Sequence, residues 1–128
     1  MTDGQAQEAA LQAMTLVGTP YRWGGNTPDG GFDCSGLIGF VYRRAAHITP
    51  PRTVRLISSW GQAVPAVHAR SGDLVIFGSS GVASHAGVHI GQSRFVHAPN
   101  TGGAVRLNSL QESYWAERLM MFRRPLQS

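Results

Sequence analysis

Two short alternations of apolar residues flank a Gly-Gln-Ser turn, and they constrain the fold more than any other stretch of this chain. Ala86, Val88 and Ile90 alternate with His85, Gly87 and His89, and beyond the turn Val96 and Ala98 alternate with Phe95 and His97. Side chains in a strand change face at every residue, so the loop length decides which sets share a face. A two-residue loop without a bulge would put the two apolar sets on opposite faces. A three-residue loop, Gly91-Gln92-Ser93, aligns them and pairs Val88 with Val96 and Ala86 with Ala98. The same register gathers His85, Gly87, Phe95 and His97 on the other face. His97 then lies opposite Gly87 and diagonal to His85, and the glycine leaves room for the rings to meet.

The rest of the chain divides into helices first and strands later. Gln5 to Val17 carries good helix formers with an apolar stripe of Ala6, Ala9, Ala10, Ala13, Leu16 and Val17, stopped by Gly18 and Pro20. Residues 18–33 form a glycine-rich loop. Asp33 is a natural N-cap, after which Cys34, Leu37, Ile38, Val41 and Tyr42 recur at helical spacing to near Ala46. Val54 to Trp60 reads as a further short helix. Strands are expected at Asp73–Phe77, His85–Ile90, Arg94–Ala98, Ala104–Leu107 and Leu119–Arg123. This order predicts an α+β layered fold, and 128 residues suit one domain with one core.

The only cysteine stands where that second helix begins, behind Trp23-Gly24-Gly25-Asn26-Thr27-Pro28-Asp29-Gly30-Gly31. Unpaired N–H groups at a helix N-terminus favour a thiolate and can receive an oxyanion. A lone cysteine is also compatible with an inert buried thiol, but this setting favours a nucleophile. A thiol nucleophile needs a base, and the base needs a polar partner that orients it. Cys34, His85 and His97 can fill these roles. The charge of Asp33 opposes thiolate formation, so its carboxylate is expected to turn toward the cap or toward a cationic group of a substrate. His47 and His68 read as surface residues. His85 and His89 have H-x-x-x-H spacing, which suggests zinc only on a helix, so no metal is expected, and thiol chemistry needs no organic cofactor.

The net charge is +4, and all eleven basic residues are arginines. They are scattered, and no basic run interleaves with aromatics, so no nucleic-acid partner is expected; the charge reads first as an ordinary soluble surface, with affinity for an anionic partner as the alternative. No apolar run approaches the roughly 18 residues of a membrane span. The start of the chain has neither a basic segment nor an apolar h-region, so no signal peptide is expected within it.

Three motifs resemble the NlpC/P60 cysteine peptidases of the bacterial cell wall. The first runs from Thr19-Pro20-Tyr21-Arg22-Trp23-Gly24-Gly25 into Phe32-Asp33-Cys34-Ser35-Gly36-Leu37. The second is Gly72-Asp73-Leu74-Val75-Ile76-Phe77 followed by Ser84-His85-Ala86-Gly87-Val88-His89-Ile90-Gly91. The third is Phe95-Val96-His97-Ala98. They span residues 19–98, and weaker likeness runs through Tyr114-Trp115 to Arg123-Arg124, giving a motif-bearing core of 19–124 in a single catalytic domain of 1–128. The resemblance implies a papain-like fold, with N-terminal helices packed on a mostly antiparallel sheet. It implies hydrolysis of peptidoglycan stem peptides, commonly between D-γ-glutamyl and a diamino acid, through a thioacyl-enzyme. Carried over by position, Cys34 is the nucleophile, His85 the base and His97 the orienting residue. Tyr21 matches a residue beside the thiol that shapes the oxyanion and substrate site, and Asp33, Arg52 and Ser84 match positions flanking the cleft.

Two positions depart from the family pattern: Val54 stands where serine or threonine is frequent, and His89 where tyrosine is. The expected partner is peptidoglycan or a muropeptide, in the periplasm, the wall or the exterior; an inhibitor, immunity protein or targeting partner is left unspecified. Two alternatives stay open: an amidase or acyltransferase on a related scaffold, and a non-catalytic wall-binding module.

Overall fold

The computed structural model describes residues 1–99 and 103–126. Helix α1 (Asp3–Thr15) starts at a reciprocal cap, in which the Thr2 hydroxyl accepts from the Gln5 N–H while the Gln5 side chain accepts from the Thr2 N–H. It buries Ala6, Ala9, Ala10 and Ala13, small residues that let it lie close against α2 (Cys34–Ala46). Between them the chain makes a two-stranded ribbon, β1 (Asn26–Thr27) with β2 (Gly31–Phe32). Helix α2 buries Leu37, Ile38, Val41 and Tyr42 and ends at His47 in the left-handed region (φ 57°). The Tyr42 hydroxyl donates to the Gly72 carbonyl at 2.5 Å, which gives its buried polar end a partner. A one-turn helix, α3 (Val54–Ile57), is shorter than the sequence pattern suggests because the chain turns at Ser59–Gly61 into β3 (Gln62–Val64).

The main sheet is antiparallel, in the order β3-β8-β4-β5-β6-β7. Its strands are β4 (Leu74–Ser79), β5 (Val82–Gly91), β6 (Arg94–His97), β7 (Arg106–Ser109) and β8 (Leu119–Arg124), with the short helix α4 (Ser113–Arg118) leading into β8. One face carries Leu74, Ile76, Ala86, Val88, Val96 and Ala98 and packs with α1 and α2 into the larger core. The other carries Val64, Val75, Phe77, Phe95 and Phe122, closed by Leu110, Trp115 and Leu119. Asp73, fully buried, receives two guanidinium N–H groups from Arg124 at 2.7 and 2.9 Å, which locks the entry of β4 to the end of β8.

The hairpin register is the expected one, reached by a different device. Val88 pairs with Val96 and His89 with Phe95, but Gly91 pairs with Arg94, so Ile90 is an extra residue in β5. The loop is the two-residue Gln92-Ser93, both with positive φ (54° and 60°). A tight turn of that hand matches the strand twist, and the bulge restores the register that a two-residue loop alone would break. Strands β3 and the pair β1–β2 are too short to leave an alternation in the sequence. The expected strand Ala104–Leu107 lies two residues later, because Ala104 makes only an isolated bridge with Pro20.

Candidate active site

The thiol sits where the glycine loop meets α2. Asp33 caps the helix, accepting from the Gly36 N–H at 2.7 Å, and its second oxygen accepts from the Gly24 N–H at 3.0 Å. Arg52 joins this carboxylate at 3.2 Å and donates to the Ser35 hydroxyl at 2.6 Å and the Gly24 carbonyl at 3.2 Å. Asp33 is therefore turned toward the cap and Arg52, and both residues tie the loop to the first turn of α2. Gly36 permits that junction: a Cβ there would stand 1.9 Å from the Gly25 carbonyl oxygen.

Burial, then the Asp33 charge, push the Cys34 thiol above its ordinary pKa, opposed by the backbone N–H groups of Ser35, Ala86 and Cys34 itself. The resting group is a neutral thiol. The Ala86 N–H is close enough to act on the sulfur, and Ala86 follows His85 in β5. Two register shifts flank Phe77, the cross-strand partner of His85, where β4 departs from β8 and from β5. Such irregularities re-aim side chains at the rim of a sheet.

His85 and His97 meet on the face that the alternation assigns to them. Nε2 of His85 lies 2.8 Å from Nδ1 of His97, with the rings edge to face. Gly87 makes this approach possible, since a Cβ there would come within 3.0 Å of the Phe95 ring and 3.2 Å of the His97 Cβ. Nε2 of His97 contacts Oδ1 of Asn108 at 2.7 Å, and the Asn108 amide donates to Glu112 at 3.1 and 3.2 Å. Trp115 stacks on His85 and stands edge-on to His97. Burial lowers both imidazole pKa values; the neighbouring ring adds to this for His85, whereas for His97 the Asn108 contact works against it. Both rings rest neutral.

A cleft of about 460 Å³ opens beside the sulfur, lined by Tyr21, Trp23, Asp33, Arg52 and Ser84 among others. A second cavity of about 220 Å³ is lined by Ser84, His85, Tyr114, Trp115 and Arg118. Ser84 is the shared rim. The structure thus gathers Cys34, Tyr21, Asp33, Arg52 and Ser84 in one cleft, sets His85 and His97 together, and joins the two groups along Ser84–His85–Ala86. His47 and His68 are exposed on other elements, and His89 is buried with Nδ1 at the Arg70 carbonyl and its ring edge-on to Phe122. Among the described residues, no group of three or more His, Cys, Asp or Glu side chains is placed to hold a metal. Sequence reasoning missed Asn108 and Glu112. They lie beyond the resembling motifs, and only the fold of β7 onto β6 brings Asn108 to His97, with Glu112 behind it.

A helix-borne thiol set against an antiparallel sheet with paired histidines defines a papain-like α+β class. Within that class the chain belongs to the NlpC/P60 family, whose model matches residues 18–124. It is 39% identical over 120 residues to murein DD-endopeptidase MepH of Escherichia coli, covering 91% of this chain and 44% of that protein. It is 35% identical over 116 residues to the bifunctional muramidase/DL-endopeptidase CwlT of Bacillus subtilis, covering 88% of this chain and 34% of that one. The chain therefore spans less than half the length of either relative. The crystal structure of an NlpC/P60 family protein from Bacillus cereus superposes with a TM-score of 0.88 at 30% identity, over 95% of this chain and 40% of that one.

Proposed function

We propose that the protein is a cysteine peptidase that hydrolyses peptide bonds in peptidoglycan stem peptides. The observation that carries this reading is the thiol of Cys34 at the start of α2, close to the N–H of Ala86, the residue that follows His85 in β5, with His85 and His97 joined at 2.8 Å. His85 accepts the thiol proton as the sulfur attacks the scissile carbonyl, and the helix-terminal N–H of Cys34 receives the oxyanion. Collapse of that intermediate releases the amine, which takes the proton from His85 and leaves a thioacyl-enzyme. Water attacks next, with His85 again as the base. His97 orients His85. Tyr21 and Ser84 border the acyl site, while Asp33 and Arg52 hold the thiol in place and present charge to the cleft.

The favoured bond lies between D-γ-glutamyl and a diamino acid. MepH is named for a DD and CwlT for a DL activity, so the relatives divide over the bond. A wall substrate fits an extracytoplasmic location and a single catalytic domain across the chain. Trp23 (86% exposed) and Val54 give the same cleft an apolar side, which favours, as a second reading, acyl transfer or amidase action on a less polar amide.

The test is mass spectrometry of muropeptides after digestion by the purified protein and by Cys34→Ala. New termini at the γ-glutamyl bond, absent with the variant, are expected. Equal cleavage by the variant would overturn the mechanism, and an untouched digest would leave the wall-binding alternative.

A further inference from the structure

We infer that Glu112 and Asn108 are positioning residues that set the tautomers of both histidines and so leave Nδ1 of His85 as the bare, basic nitrogen. This inference deepens the proposed function and rests on it for its catalytic meaning, but its structural content stands on four contacts. Glu112 is the fixed end. Hydrogen bonds from the Ser109 N–H and then from Asn108 hold its carboxyl below the ordinary range, so at neutral pH it only accepts. Both of its oxygens face the Asn108 amide nitrogen, at 3.1 and 3.2 Å. The reverse amide orientation would set a carbonyl oxygen against a carboxylate. Asn108 is therefore oriented, and its Oδ1 is what His97 meets.

The rest follows from donors and acceptors. Oδ1 can only accept, so Nε2 of His97 carries a proton. A neutral imidazole has one N–H, which leaves Nδ1 of His97 with a lone pair. That lone pair is 2.8 Å from Nε2 of His85, so Nε2 of His85 must donate. His85, also neutral, then has no proton on Nδ1. The hydrogen bonds all run one way, from His85 to His97 to Asn108 to Glu112. In the reaction the Cys34 proton moves from Sγ to Nδ1 of His85, and the imidazolium formed keeps its Nε2–H on His97, so no other proton needs to move. Arg106 is the other charge near His97, and it opposes protonation there, which helps keep that ring neutral.

The turn that supplies the fixed end also supplies the roof. Asn108 is the penultimate residue of β7, Glu112 precedes α4, and Trp115 in α4 covers both rings. Glu112 itself is exposed, so water screens its charge and its contribution is orientation rather than field.

The test is the long-range proton–nitrogen correlation spectrum of the histidine rings in the full-length, nitrogen-15-labelled protein at neutral pH, which separates N–H from bare ring nitrogens. The wild type should show His85 and His97 both protonated on Nε2. Glu112→Ala frees the amide to turn, and Asn108→Leu removes the acceptor; each should populate the Nδ1–H form of His85. Stem-peptide turnover in these variants should fall about tenfold or more with KM nearly unchanged, part of the roughly 10²–10⁴-fold that a general base contributes. Glu112→Gln keeps an oxygen for Asn108 and should restore both the spectrum and most of the turnover. His85 protonated on Nδ1 in the wild type would overturn the inference, as would unchanged tautomers in Glu112→Ala and Asn108→Leu. The wild-type spectrum decides even where a variant fails to fold. If the protein cleaves no stem peptide, the proposed function falls while the spectra still judge the relay. If Cys34-dependent cleavage stands and His85 carries its proton on Nδ1, only the relay falls.

Discussion

Cys34 carries two opposed influences, and their balance sets its resting state. Burial and the Asp33 charge raise its pKa, while three backbone N–H groups lower it less. His85, lowered by burial and by His97, does not offset this with a standing positive charge. The resting pair is thiol and imidazole, not thiolate and imidazolium, so proton transfer belongs to the attack itself. Alkylation of Cys34 by a small neutral reagent should therefore be slow at pH 7 and rise tenfold per pH unit until beyond the usual thiol range near pH 8.5. A flat rate between pH 5 and 8 would mark a standing ion pair and contradict this account. The sequence identified Cys34 as the candidate thiol from its place behind a cap. It left Asp33 two orientations, and Gly24, Gly36 and Arg52 decide between them in the folded chain.

Among the elements, α2 separates two kinds of glycine. At Gly36 a Cβ would meet the Gly25 carbonyl at 1.9 Å and Oδ1 of Asp33 at 2.8 Å, both part of the loop that seats the thiol. At Gly39 the nearest atom is the far end of the Arg43 side chain, which can move aside. Gly36→Ala should lose about 1–3 kcal/mol or more by overpacking and depress turnover. Gly39→Ala, in the same helix, should gain about 0.5–1 kcal/mol from the backbone term. Urea unfolding of the two variants checks the opposite signs, and equal effects would remove the steric argument. In the hairpin, apolar alternation specified which residues face each other, because a slip by one would turn Val88 and Val96 away from the core. It did not specify how the odd residue is absorbed. A three-residue loop and a two-residue turn with Ile90 bulged give the same pairing, and local twist chose the latter.

Across the whole molecule, the site makes stability depend on acid. His85 and His97 are held neutral in the fold, with pKa values below the ordinary 6.5. The unfolded chain binds protons at these positions first as pH falls, so this contribution is complete above about pH 6.5 and is lost as pH drops toward the folded values. The loss per histidine is up to about 1.4 kcal/mol for each pH unit. Unfolding followed from pH 7 to 5 should show this slope, and His97→Gln should make it shallower; the same slope in the variant would exclude His97 as a source.

Local pattern by itself determined the helices, the central strands, the position of the thiol and the face shared by His85 and His97, because periodicity and capping act over a few residues. The recurrence of three motifs extended that to a family and its cleft residues. Tertiary structure alone decided the rest. The turn at Gly61, φ 75°, and the pairing of β3 with the distant β8 leave no alternation to read. Asn108 reaches His97, and Glu112 reaches Asn108, only because β7 pairs with β6 and turns into α4, and a hydrogen-bond relay has no sequence period. The direction of the protons along it depends on angles and distances that no spacing encodes.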